Sequence, residues 1–259
     1  MKKHNFTLIE LLVVVGIIAV LAGLIIPAVG MAQTSARRTA CLSNQGQIMK
    51  IIRTYMNEGD KQFLPGNTEY TWTRAMVSIN RIQNDMTVAR CPAMIPAKSP
   101  AQFTRTTATD AIVNEAYGMI YSTESGVPGI DFKSSKALKC DNGTTTKDDD
   151  YTVAANQLAL GGCSAKLDNE QVVAQARINF NATGAPGTND KWGRPALVHG
   201  GQVNVFFLDG HADSFTRQTL HKSRYFTEVE SATQREAVKI GNSTNDPESK
   251  NWILDPDEE

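Results

Sequence analysis

From Leu11 to Ala36 the chain runs 26 residues without a charged side chain, and the first 22 of these, Leu11 to Ala32, are predominantly apolar. At about 1.5 Å per residue, a helix of that apolar length covers roughly 33 Å. It can therefore cross a hydrocarbon core of about 30 Å. No second stretch of this kind occurs in the sequence. The averages conceal it: 259 residues, 41% hydrophobic, 20% charged, net charge -1 and mean hydropathy -0.29 describe a soluble protein of one or two domains. They exclude a polytopic membrane protein, a disordered polyelectrolyte and a low-complexity polymer. Near neutrality also argues against nucleic acid as a partner.

Three explanations of the apolar run compete. A cleaved signal peptide accounts for Lys2 and Lys3 and for the small residues at Ala28-Val29-Gly30, but its apolar core is normally shorter, about 7–15 residues. A plain signal anchor accounts for the length and leaves Glu10 unexplained. A carboxylate at the edge of an apolar run costs energy on insertion and is tolerated where it has a partner or a task. Glu10 is therefore the informative residue.

Phe6-Thr7-Leu8-Ile9-Glu10-Leu11-Leu12-Val13-Val14 resembles the cleavage and methylation motif of type IV pilins and type II secretion pseudopilins. The resemblance implies that a prepilin peptidase cuts between Asn5 and Phe6 and methylates the new Phe6 amine, with the apolar helix kept on the mature chain. Asn5 stands where the family usually has Gly. Glu10 would neutralise the Phe6 amine of a neighbouring subunit during assembly, which offsets the cost of burying either charge alone. Pro27 falls where pilin helices commonly kink, and neighbouring helices can satisfy the carbonyl it frees. The family also implies a bacterial inner-membrane protein crossing once, its head outside the cytoplasm, and other pilin or pseudopilin subunits as partners in a fibre.

Cys41, Ile48, Ile52 and Tyr55, with Ile51 and Met56 beside them, recur at spacings of three, four and seven, the mark of an amphipathic helix. Gly59 and Pro65-Gly66 are natural stops. The expected organisation is a leader over 1–5, a continuous helix over 6–58, a globular head over 59–220 and a polar extension over 221–259. The fold class is α+β: a long helix, membrane-spanning in its first half, packed on an antiparallel sheet. A short helix is expected around Trp72 to Asn80, a loop at Cys91 to Pro100 and a solvated loop at Asp141 to Asp150.

The best-defined part of the head is Arg194 to Phe215. Val203, Val205 and Phe207 share one strand face while Phe206 and Leu208 are apolar on the other, which predicts burial on both sides. Asp209-Gly210 predicts a two-residue hairpin turn, with His211 to Phe215 returning. His199, followed after nine residues by Asp209-Gly210, resembles a C-terminal segment of many bacterial pilin-like proteins carrying the same N-terminal motif.

His199, Asp209, His211 and Asp213 are residue types that ligate divalent metals. Their spacing matches no metal motif, which favours hairpin and surface roles. Pseudopilin heads can carry calcium, which brings in Asp148, Asp149 and Asp150, yet this run lacks the spacing of a dedicated calcium loop. The four cysteines permit three connectivities of two disulfides, or free thiols. By resemblance to the disulfide-bounded region of pilins, Cys140 pairs with Cys163, leaving Cys41 with Cys91 to tie helix to head. Signatures of phosphate-binding loops, dinucleotide folds, serine hydrolases and zinc proteases are missing, so no enzymatic activity and no cofactor are expected. Trp72, Trp192 and Trp252 would supply the alternative, a membrane-tethered carbohydrate-binding head that does not polymerise, although burial is the commoner fate of Trp.

Overall fold

The computed structural model of the protein describes residues 8–57, 72–73, 76, 81–82, 87–94, 116–119, 129–130, 137–141, 151–154, 156, 159–168, 171–176, 178 and 193–222. The expected leader with Asn5 and Phe6, the Asp148–Asp150 run, Trp192, Trp252 and the extension beyond 222 lie outside them. One helix, α1 (Leu8–Asn57), spans 50 residues with Pro27 inside it. It has two environments. Sixteen large apolar side chains between Leu8 and Met31 are exposed. From Cys41 onward one face is covered, with Cys41, Gln45, Ile48, Met49 and Ile52 all fully buried. Those positions fall within a single stripe of a 3.6-residue helix. Each large apolar side chain buried there contributes on the order of 1.5–3 kcal/mol. Tyr55 and Ile51, expected on this face, are half-buried at its margin.

The surface that covers α1 is a four-stranded antiparallel sheet in the order β1-β5-β9-β10. Its strands are β1 (Gly118–Met119), β5 (Ala159–Gly162), β9 (Gln202–Phe207) and β10 (Ala212–Thr216). Two three-stranded antiparallel sheets accompany it. One is formed by β2 (Gly129–Ile130), β3 (Ala137–Asp141) and β4 (Tyr151–Ala154), and the other is ordered β7-β6-β8 from β6 (Ser164–Asp168), β7 (Gln171–Ala174) and β8 (Arg194–Pro195). A short helix, α2 (Arg217–Lys222), follows β10. The architecture is the α+β, pilin-like arrangement expected.

β9 is buried on both faces as predicted, from Val203 through Phe207. Its polar member, Asn204, is also fully buried and fully used: its amide donates to Arg38 O at 3.2 Å and its Oδ1 accepts from Ser214 Oγ at 2.7 Å. The turn after β9 differs from the expectation. Ala212 faces Phe206 and the Phe207 N–H donates to His211 O, so Leu208, Asp209 and Gly210 form a three-residue loop rather than a two-residue turn. Positive φ is taken at Gly210, at 97°, as in a turn followed by one left-handed residue. Asp209 instead spends its side chain locally, accepting from the His211 backbone N–H at 3.1 Å.

Gly161 and Gly162 let β5 lie unusually close to its neighbours. A Cβ on Gly161 would sit 2.1 Å from Gly118 O, and one on Gly162 would sit 2.4 Å from Asn204 O. Trp72 is fully buried and donates its indole N–H to Tyr117 O at 2.9 Å. It is a core residue, and not part of an exposed aromatic platform. Trp72, Thr73 and Met76 are helical where the sequence places a short helix.

Candidate functional site

The two ends of β9 carry the His199 and Asp209-Gly210 positions, and α1 holds both. At the entry, Gly200 and Gly201 take φ of 67° and 73° and reverse the chain so that the His199 N–H donates to Gln202 O at 3.1 Å. Two consecutive positive φ values at the centre of a turn are what glycines permit. The reversal turns His199 inward, where it is 2% exposed. At the exit, the Arg53 guanidinium on α1 donates to the Asp209 carbonyl, and Gly210 lies beneath Arg53 and Met49. The spacing from His199 to Asp209 thus measures one tight turn, one six-residue strand and the start of one loop. Arg53→Ala removes one hydrogen bond from an exposed side chain, so a loss of about 0.5–1.5 kcal/mol is expected, read as a small fall in the midpoint of thermal unfolding.

At the entry end His199 meets three cysteines. Its Nε2 lies 3.4 Å from Cys91 Sγ and 3.4 Å from Cys163 Sγ. Cys41 Sγ is 3.4 Å from Cys163 Sγ, which is 3.7 Å from Cys91 Sγ. All four ligand atoms lie within 4.8 Å of one another, and all four residues are buried.

Each comes from a different segment. Cys41 is the first fully buried residue of α1, and Cys91 opens a turn after the 3-10 helix Thr87–Ala89. Cys163 is the bend between β5 and β6, its N–H given to Asn204 O and its carbonyl taken by Ala196 N–H, both at 2.9 Å. At this bend the chain passes from one sheet to the next.

The expected disulfides are not made. Cys41, Cys91 and Cys163 are free thiols, and their separations far exceed the roughly 2.05 Å of a sulfur–sulfur bond. Cys140 lies on β3, and because Cys163 is a free thiol the expected Cys140–Cys163 pair is not made. The reason is topological: the β5–β6 bend and the Cys91 turn both close on the same position of α1, which gathers three sulfurs instead of two pairs.

The metal ligands weighed from sequence divide in the same way. His199 joins the cysteines, whereas Asp209 and His211 pair with each other at the hairpin tip, where the His211 ring stacks on Phe207 with centroids 4.2 Å apart. Asp213 is exposed and accepts from the Ser214 N–H at 2.7 Å. Sequence reasoning missed Gln45, a buried amide on the helix face whose Nε2 lies 3.6 Å from Cys41 Sγ and 3.7 Å from Cys163 Sγ, and which donates to Asn204 O at 3.2 Å. A glutamine on an otherwise apolar helix stripe was the available signal.

Electrostatically the sulfurs are unequal. Burial pushes the Cys163 thiol well up. Burial also opposes ionisation of Cys41, but hydrogen bonds from Cys163, Cys91 and His199 overcome it and bring that thiol far down. For Cys91 the hydrogen bond with Cys163 favours the thiolate, yet the Cys41 contact, burial and the Cys41 charge outweigh it, so its thiol is raised. The Ala93 backbone N–H adds a donor to Cys91. Among the described residues, His199 Nδ1 and Gln45 Oε1 are buried without a hydrogen-bond partner.

Residues 3–26 match the prokaryotic N-terminal methylation motif. The match takes in Glu10, Pro27's preceding turn and the whole of the exposed apolar segment up to Ile26. The match supports a type IV pilin-like N-terminus. Comparisons with curated proteins and with solved structures give no match. The motif implies processing by a prepilin peptidase and, in general terms, assembly with pilin subunits. An 18-residue window of the pilin-like helix has hydropathy 3.0 with none of it buried, consistent with a single-pass membrane anchor.

Proposed function

We propose that this chain is a structural, non-enzymatic fibre subunit, anchored in the bacterial inner membrane with its head outside the cytoplasm. After processing it assembles through its N-terminal helix into a type IV pilus-like or type II secretion pseudopilus fibre. The observation that carries the reading is the division of α1. Its motif-bearing half is apolar and uncovered by the protein's own described residues, while its second half is built into the head. An apolar surface of that extent requires lipid or other helices to cover it.

Gly16, Gly23 and Gly30 recur every seven residues on this half, and a Cβ at any of them would meet nothing within 4 Å. A line of small residues supports close approach of neighbouring helices, where packing rather than hydrophobicity drives association. Glu10 and the Phe6 amine are the pair that would set the register between subunits.

N-terminal sequencing of the mature protein tests the reading. N-methyl-Phe6 is the expected first residue. Recovery of Met31 or Gln33 would show removal of the helix as a signal peptide and end the proposal. Shearing of surface fibres then separates a polymerising subunit from a monomeric tether, because only the former enters the sheared fraction.

A further inference from the structure

We propose that Cys41, Cys91, Cys163 and His199 form a structural zinc site that clasps the stem helix to the head. A tetrahedral zinc with bonds of about 2.3 Å to sulfur and about 2.0–2.1 Å to nitrogen places its ligand atoms roughly 3.6–3.8 Å apart. Four of the six separations are 3.4, 3.4, 3.4 and 3.7 Å, and all six lie within 4.8 Å. Three sulfurs and one imidazole nitrogen thus stand near the corners such an ion requires, and drawing in the remaining pairs, which lie within 4.8 Å, completes the fit.

Three features favour a metal over a disulfide or a set of inert thiols. An odd number of sulfurs meets at one point, so any disulfide strands the third. Each sulfur also has a nitrogen donor beside it, Gln45 Nε2 at Cys41 and Cys163 and the Ala93 N–H at Cys91. Such outer donors stabilise thiolates and orient ligands. Finally, His199 turns Nε2 to the sulfurs from a position 2% exposed, and an imidazole packed on three buried thiols gains little without an ion to share.

Four protein ligands and no solvent access make the site closed, which is the structural rather than the catalytic form of zinc coordination. Zinc is favoured over calcium or magnesium because those ions require oxygen ligands. The ligands join α1 to three head segments at the level where α1 first becomes buried. Load passing from stem to head crosses this junction, and a metal there resists peeling of the helix from the sheet. Because a structural metal's binding energy is also folding energy, the same ion would govern whether the head forms.

The test uses the full-length chain purified in detergent. Elemental analysis is expected to give one zinc per chain, and replacement by cobalt to give the intense visible bands of a tetrahedral ion with thiolate charge transfer in the near ultraviolet. Cys163→Ser and His199→Ala each lower zinc affinity by at least tenfold, Gln45→Leu by about 10–100-fold with the ion still bound, and Cys140→Ser leaves it intact. His199→Cys keeps one metal per chain and shifts the cobalt spectrum, which separates loss of a ligand from loss of the fold. The proposal is overturned by substoichiometric zinc in folded protein, by another metal in its place, by a disulfide among Cys41, Cys91 and Cys163 under non-reducing mass spectrometry, or by zinc content that Cys163→Ser and His199→Ala leave unchanged. None of these readouts depends on fibre assembly.

Discussion

Gly162→Ala is expected to lower the thermal midpoint of the head by about 10 °C, the equivalent of roughly 3 kcal/mol or more for a domain of this size. A Cβ at this position would stand 2.4 Å from Asn204 O and 3.1 Å from the Val205 Cα, both in the backbone of β9. Backbone cannot step aside as a flexible side chain can, so β5 has to separate from β9. Asn204 O is also the acceptor for the Cys163 N–H and for Gln45, so the separation carries Cys163 away from the other ligands. Gly46→Ala is the control, because that glycine is helical and its added Cβ meets nothing within 4 Å. There the gain in helix propensity is expected to be stabilising by up to about 1 kcal/mol. Equal midpoints for Gly162→Ala and the parent chain would mean that β5 and β9 are not packed as described.

Glu10→Ala is expected to leave peptidase cleavage and membrane insertion unchanged while removing the chain from sheared fibres. Glu10 is exposed in the first turn of α1, within the matched motif and at the edge of the uncharged run from Leu11 to Ala36. Deleting its charge makes insertion easier rather than harder, since a carboxylate there costs energy in lipid. The lost function would be pairing with an incoming Phe6 amine, and an ammonium left unpaired among packed helices is strongly unfavourable. Glu10→Gln separates charge from shape and is expected to fail as Ala does. Normal incorporation of either variant would show that Glu10 does not set the subunit register.

The stem was legible because its determinants are local. An uncharged run has one length, its crossing of a bilayer follows from that length, and the Phe6-to-Glu10 motif is contiguous. The burial of β9 on both faces was equally readable, since Val203, Val205, Phe206 and Phe207 alternate within a few residues. The hairpin tip was read nearly correctly, and the error of one loop residue arose because the strand register, not the Asp209-Gly210 pair, closes the ladder at Phe207 and His211.

The cysteines show where local reasoning stopped. Counting four cysteines suggests two pairs, and the spacings among residues 41, 91, 163 and 199 contain no ligand doublet of the kind that marks a zinc motif. His199 was a recognisable ligand type, but its natural companions by sequence, His211 and Asp213, lie beyond β9, at the hairpin tip and on β10 opposite Val205. Convergence of the three sulfurs depends on three closures against α1: the bend at Cys163, the turn at Cys91 and the reversal at Gly200-Gly201.

The sequence by itself determined that this protein has an uncharged helix long enough for a membrane, a motif for N-terminal processing, and an α+β head with one doubly buried strand. Periodicity and contiguous motifs are sufficient for such features, because each is specified within a few turns or residues. Only the tertiary structure decided what the cysteines do. Ligands separated by 36 to 72 residues or more meet through the packing of α1 on β9 and the close approach of β5 at Gly161-Gly162, and that long-range closure leaves no periodic trace in the chain.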